Sequence, residues 1–182
     1  MPSAKGAPRT ASVPDRETER LLLRPPRLAD APALFAFLGD PDAMRFTHVQ
    51  PSLRACRRHL AVHERQRRRI GCAPWTIIEK NTGKKIGWGG LYDDPFDPGW
   101  GVEVAYLFAP SAWGHGYASE LVACCLDIAR RELQLAQVSA FAHPDNAASR
   151  RVLEKAGFFA EQFVQPMHRW LYRRQLQGAA SA

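Results

Sequence analysis

The chain has 182 residues, 46% apolar and 24% charged, which supports one domain with a sizeable core and excludes a wholly disordered protein. No run approaches the ~18 uncharged apolar residues of a membrane span, and the opening MPSAKGAPRTASVPDR lacks the apolar segment of a secretory leader. The net charge of +7 is not spread evenly: segment 54–71, RACRRHLAVHERQRRRIG, holds seven Arg and one Glu, so it alone carries +6 and the rest of the chain only +1.

Taken in order, residues 1–16 are rich in Pro, Ala, Ser and Gly and read as a disordered tail. A single domain is expected over 17–174, with a frayed tail at 175–182. Segment 20–24 (RLLLR) predicts a strand stopped by Pro25 and Pro26. Asp30 can cap a helix over 31–38, and Ser52 a second over 53–70 whose inner stripe is Leu53, Cys56, Leu60, His63 and Ile70. Strands follow at 75–79, 85–92 and 101–108, the first two joined by the turn Asn81-Thr82-Gly83-Lys84. A helix is expected from 117 to 133 with inner face Ala118, Leu121, Val122, Cys125 and Ala129. Next come a strand at 137–142, a helix capped by Asp145 or Asn146 and ended by Gly157, and strands at 158–164 and 168–173. Three strands in succession read as an antiparallel meander, and the strand–helix–strand unit behind them requires a parallel crossover. The fold class is therefore α/β with a mixed sheet.

The segment GVEVAYLFAPSAWGHGYASELVACCLDIA runs from a strand through a glycine turn directly into a helix. That arrangement presents free backbone N–H groups and the positive end of a helix to an anion, usually phosphate. A P-loop needs GxxxxGK[ST], which is absent, and the dinucleotide fingerprint GxGxxG is one residue too long for Gly114-x-Gly116-x-Ala118. Gly116-Tyr117-Ala118 fits the GxA ending of a third type, the pyrophosphate loop of the GNAT acetyltransferases. The segment HPDNAASRRVLEKAGF (143–158) resembles the N-x-x-S-x-x-x-x-x-K-x-G-F stretch of the same superfamily through Asn146, Ser149, Lys155, Gly157 and Phe158. With ETERLLLRPPRLADAPALFAFLGDPDAMRF near the start, the chain resembles the branch that holds the ribosomal-protein N-terminal acetyltransferases, over about residues 17–173.

The resemblance implies a mostly antiparallel sheet of about seven strands, about four helices, and a parallel splayed strand pair forming the cofactor cleft. It implies acetyl-CoA as cofactor. The loop matching Trp113, Gly114, His115, Gly116, Tyr117 and Ala118 would hold the pyrophosphate. The strand matching Val104, Ala105, Tyr106 and Leu107 would pair with the pantetheine arm as an added strand does. Asn146 and Arg151 stand in the second cofactor-binding segment, and Ser149 near the thioester sulfur. Many relatives carry a tyrosine on the later helix as the acid for the leaving thiolate; here that position is Leu153, which leaves Ser149 as the candidate acid. His115 stands where Lys or Arg is common, and Trp113 differs from the general motif but is familiar in the ribosomal-protein branch.

An amine must lose a proton before attacking a thioester, so a general base belongs beside the acetyl group. Glu103, at the head of the apolar run 102–108, is the candidate; the plainer alternative is an edge carboxylate bonded to a neighbour. On the acceptor side, Phe35, Phe46, Tyr92, Asp93 and Trp100 are candidates, and the acidic loop 93–99 can attract a cation. Cys56, His59 and His63 fall at i, i+3 and i+7, yet three ligands on one basic helix make a poor metal site, and no metal is expected. The four cysteines, Cys56, Cys72, Cys124 and Cys125, show no CxxC spacing and read as reduced thiols of a cytoplasmic protein. The reading that emerges is an acetyl-CoA-dependent N-acetyltransferase acting on a primary amine, a protein N-terminus or a small molecule, by direct attack in a ternary complex. Two alternatives are a ribosome- or RNA-associated module using the basic helix 54–69 and a non-catalytic CoA sensor. The sequence leaves open a homodimer and calls for no membrane partner.

Overall fold

A computed structural model describes residues 15–176. The tails expected at 1–16 and 175–182 lie outside the described residues except at their inner ends, where Arg16 and Gln175 are strand residues. The elements are β1 (Arg16–Glu17), β2 (Leu21–Arg24), α1 (Ala31–Leu38), α2 (Leu53–Ile70), β3 (Trp75–Glu79), β4 (Lys85–Tyr92), β5 (Glu103–Phe108), α3 (Tyr117–Arg131), β6 (Gln137–Ala142), α4 (Ala147–Lys155), β7 (Phe159–Val164) and β8 (Arg169–Gln175). They build one eight-stranded sheet in the order β1-β2-β3-β4-β5-β6-β8-β7. Every pairing is antiparallel except β5 with β6. The sheet has one strand more than the seven expected because the two-residue β1 pairs with β2. No helix among the described residues is long and apolar enough to cross a membrane.

Local chemistry sets the element ends. Ser52 caps α2 by accepting from the Ala55 N–H at 3.1 Å, and Gly71 ends it in the left-handed region at φ 83°. Asn146, rather than Asp145, caps α4 by accepting from the Ser149 N–H at 3.1 Å. The strand expected from residue 101 begins only at Glu103, because Gly101 sits at φ +76° and cannot extend a ladder.

Two cores flank the sheet. One packs α3 and α4 against it through Leu121, Val122, Cys125, Leu153 and Phe158. The other sets α1 and α2 on the opposite side through Leu34, Phe37, Cys56, Leu60 and Trp88. β5 contributes to both: Val104 and Phe108 belong to the first, and Leu107 packs on the second. Alternation along a strand therefore sends neighbouring β5 side chains to opposite layers.

Candidate active site

β5 and β6 pair at a single position, Glu103 opposite Ser139, where the Ser139 N–H also donates to the Val102 carbonyl at 3.0 Å. The junction is tied by side chains. Ser139 Oγ donates to the Trp100 carbonyl at 2.8 Å, and Arg173 donates to Ser139 Oγ at 2.6 Å. Beyond it the strands part. One edge of β5 stays paired with β4, from Val104 opposite Leu91 to Phe108 opposite Gly87. The other edge opens onto a cleft of about 720 Å³ bounded by β6 and α4. Backbone groups alternate sides in an antiparallel pair, so every second N–H and C=O of 104–107 is directed into this gap.

The far end of the cleft is the glycine turn. Gly114 and Gly116 adopt φ of +78° and +79°, a region that L side chains enter only with strain. A Cβ on Gly114 would meet nothing within 4 Å, so the turn is not plugged by side chains. Gly116 precedes α3 with no side-chain cap, which leaves the first-turn N–H groups of that helix for an anion. Arg20 ties the turn in place. Its guanidinium donates to the His115 carbonyl at 2.8 Å and to Glu120 at 2.8 Å, and it lies 4.8 Å from the centre of the Tyr117 ring. The Arg20 backbone N–H donates to Glu120 as well, at 2.7 Å. Trp113 Nε1 donates to the Phe108 carbonyl at 2.9 Å, fastening the turn to the end of β5. An open turn, an uncapped helix and a free strand edge fit a diphosphate with a pantetheine arm, and Arg151 and Lys155 line the cleft to add positive charge.

Glu103 stands at the opposite end, at the vertex where the strands diverge. It is 5% exposed. Burial first, then the charges of Asp94, Asp97 and Asp93, push its carboxyl from the ordinary 4.5 to about 8, with Arg169 opposing. Tyr92 is its cross-strand partner, and burial and the Glu103 charge hold that phenol protonated well above its usual range. Between the two ends, Tyr106 on β5 and Ser149 on α4 meet, with their hydroxyl oxygens 3.0 Å apart. The Tyr106 hydroxyl also lies 3.2 Å from the Ser149 carbonyl, to which it can donate. Burial raises the Tyr106 phenol to about 12. The hydroxyl of Ser149 thus bonds a phenol rather than the helix backbone. Leu153 is fully buried in the core.

Most of the candidate residues gather here. Val104, Ala105, Tyr106 and Leu107 line the cleft with Trp113 and Gly114. Gly116, Tyr117, Ala118, Asn146, Ser149 and Arg151 do so too. Of the acceptor-side candidates, Phe46 and Tyr92 line it. Phe35, Asp93 and Trp100 do not. Phe35 packs on the α1–α2 core, the Asp93 carbonyl accepts from Gln66, and Trp100 stands edge-on to Phe141. The neighbouring Asp94 and Asp97 line the cleft instead. The His115 side chain is exposed, with Nδ1 2.9 Å from the Trp113 carbonyl, and is not part of the lining.

Three features escaped the sequence reading: the Arg20 tie, the Tyr106 phenol, and a ring wall of His59, His63 and Trp88. The pairing of Arg20 with Glu120 spans 100 residues and leaves no local signature. The two histidines were visible at i, i+4 on the inner face of α2, and that spacing was the one available sign of the wall. Among the described residues no group of three His, Cys, Asp or Glu side chains is placed to hold a metal ion.

A splayed parallel pair leading to an uncapped, glycine-turned helix defines the acyl-CoA acyltransferase class of site. Comparison with known proteins agrees. Residues 20–159 match the family model described as acetyltransferase (GNAT) domain. The uncharacterized protein YkkB of Bacillus subtilis (strain 168) is 33% identical over 141 residues, covering 77% of this chain and 82% of its own. A solved acetyltransferase from Agrobacterium tumefaciens str. C58 superposes with a TM-score of 0.77 at 26% identity, covering 94% of this chain and 99% of its own. Mycobacterium smegmatis RimJ, solved in complex with CoA-disulfide, shares the fold with a TM-score of 0.71 at 20% identity, covering 89% of this chain and 85% of its own. The chain belongs to the GNAT acetyltransferase family. Acetyl-CoA is the cofactor of that family.

Proposed function

We propose that the protein acetylates a primary amine by direct attack within a ternary complex, with Glu103 as general base and Ser149, backed by Tyr106, on the leaving-group side. The observation that carries this reading is the position of Glu103: buried, at the vertex of the splayed strands, with no ion-pair partner among the described residues.

Bound acetyl-CoA supplies a thioester carbonyl as the electrophile and a thiolate as the leaving group. The uncapped start of α3 and the Gly114–Gly116 turn would hold its diphosphate, with Arg151 and Lys155 adding charge. Backbone N–H groups on the open edge of β5 would orient the pantetheine and polarise the carbonyl. Glu103 takes a proton from the acceptor ammonium. Its raised proton affinity suits this task, since a base with a pKa near the working pH both accepts and releases protons. A cation arriving beside it favours its ionised form. On the other side of the reacting centre, the Ser149 hydroxyl donates a proton as sulfur departs, and the Tyr106 phenol, 3.0 Å away, can replace it. No covalent enzyme intermediate is needed, and Cys125 on α3 is fully buried among core residues. The exposed arginines of α2 lie outside the cleft and carry no part of this reading.

The test is Glu103→Gln, assayed for acetyl-CoA affinity by calorimetry and for acetyl transfer to an amine panel by free CoA release. Removing a general base lowers turnover by roughly 10²–10⁴-fold, while affinity for acetyl-CoA stays within about threefold because the donor is gripped at the other end. Turnover equal to wild type would remove Glu103 from the mechanism.

A further inference from the structure

The acceptor end of the cleft is more elaborate than a general base requires. Its wall is a set of packed rings. His59 lies flat on Phe96, with centroids 5.4 Å apart and planes at 7°, so Phe96, 60% exposed and outside the cleft lining, backs the ring of His59. His63 stands edge-on to Trp88 at 5.1 Å and to Tyr92 at 5.5 Å. The wall thus runs along β4 from Tyr92, the partner of Glu103, to Trp88. Burial lowers His59 to about 4 and His63 to about 3, so both rings are neutral near pH 7 and do not repel a cation.

Two polar atoms in this wall are left over. His63 and Trp88 are 1% and 3% exposed and line the cleft, yet His63 Nδ1 and Trp88 Nε1 have no hydrogen-bond partner among the described residues. Buried polar atoms are paired in folded proteins with few exceptions, and an exception inside a binding cleft marks a place for a ligand atom. The indole N–H can only donate, and a neutral imidazole nitrogen can donate or accept. A hydroxyl, which does both, answers the pair. The charges at this end are Asp94, Asp97 and Glu103, opposed by Arg169, and none of the four forms an ion pair among the described residues.

Resting on the reading of the cleft as an amine acetylation site, we propose that its acceptor is a hydroxyl-bearing arylalkylamine, a small cation on a flat ring without a carboxylate. The ammonium goes to Glu103 among the three carboxylates. The ring lies on the neutral aromatic wall, where cation and ring both find favourable contact. The hydroxyl completes His63 and Trp88. An amino acid would bring its own carboxylate against Asp94, Asp97 and Glu103, and like charges at close range select against it.

The experiment compares kcat/KM of the full chain for tyramine, phenethylamine, tyrosine and a Ser-Ala-initiated hexapeptide, with acetyl-CoA binding measured in parallel. Tyramine is expected to exceed phenethylamine by at least tenfold, and tyrosine and the peptide by at least 100-fold. In Trp88→Phe the tyramine advantage over phenethylamine shrinks below threefold with acetyl-CoA affinity kept, and in the double variant D94N/D97N the discrimination against tyrosine falls at least tenfold. Peptide or tyrosine turnover equal to that of tyramine overturns this inference and leaves amine acetylation standing, as does equal use of phenethylamine by the wild type. Acetyl-CoA binding with no transfer to any of the four overturns both.

Discussion

The two ends of the cleft are made differently. At the end proposed to hold the diphosphate, main chain predominates: two left-handed glycines, an uncapped helix start and an open strand edge, with side chains such as Arg20 and Trp113 holding that backbone in place. At the end proposed for the acceptor, side chains from separate elements converge, with Glu103 from β5, Tyr92 and Trp88 from β4, His59 and His63 from α2, and Asp94 and Asp97 from the loop between β4 and β5. Backbone recognition of a diphosphate needs few residue identities beyond glycine, so it can be shared across a family while the side-chain end changes. On the proposed reading, the donor is a property of the family and the acceptor a property of this chain.

That division can be broken from either end. The largest effect is expected from Gly116→Val. A β-branched residue at φ +79° costs about 1–2 kcal/mol in backbone strain, and its Cβ would stand 3.5 Å from the Arg20 guanidinium that ties the turn. Acetyl-CoA affinity should fall at least tenfold by calorimetry. Unchanged affinity would mean that the turn does not grip the donor.

A smaller effect, opposite in sign, is expected in the stability of Glu103→Gln. The folded state holds the Glu103 proton up to about pH 8, whereas in the unfolded chain it leaves near the ordinary 4.5. Between those values unfolding releases a proton, so this group makes the wild type progressively less stable as pH rises, and no further above about 8. The glutamine variant lacks that loss. Its Tm should exceed that of the wild type at pH 9 by more than it does at pH 5, in paired thermal melts. A difference independent of pH would contradict the buried, raised carboxyl.

Arg20→Ala comes next. It removes the side-chain donors to the His115 carbonyl and Glu120, leaves the backbone N–H bond to Glu120, and does not touch the cleft lining. A lost charge-assisted bond costs roughly 1.5–3 kcal/mol when buried, and less here because the Arg20 side chain is 41% exposed. A drop of a few degrees in Tm and a two- to fivefold loss of acetyl-CoA affinity are expected, with discrimination among acceptors unchanged. The smallest effect should be that of Ser149→Ala, about threefold in turnover, because Tyr106 remains; the pair Ser149→Ala with Tyr106→Phe should lose far more than the sum of the two single changes. Additive losses would show that the two hydroxyls do not substitute for one another.

The same division explains what the sequence disclosed. α2, β3, β4 and β6 begin and end at the residues indicated, since the Ser52 cap and the alternating apolar strands act over a few residues; α1 keeps the expected bounds although the Asp30 side chain does not cap it and pairs with Arg24 instead. The glycine turn was legible for the same reason. The side-chain end was not. Tyr106 and Ser149 meet across 43 residues, Arg20 and Glu120 across 100, and Trp88 joins His63 only because α2 folds back on β4. No periodicity encodes such meetings. Glu103 stands out in sequence because a charge inside an apolar strand is conspicuous, and it lies buried in the cleft lining. Phe35 and Trp100 were named on residue type alone, and their placement in packing shows how little residue type says about position.

The central claim is that Glu103 takes the acceptor proton with an affinity set by burial and by the carboxylates around it. Its most direct measurement is the pH dependence of kcat/KM in the wild type and in D94N/D97N. The rising limb should have its midpoint near pH 8 in the wild type and move to lower pH in the double variant, because two like charges that hold the proton on Glu103 are gone. A limb that stays fixed in both proteins, following only the ionisation of the amine, would contradict that assignment.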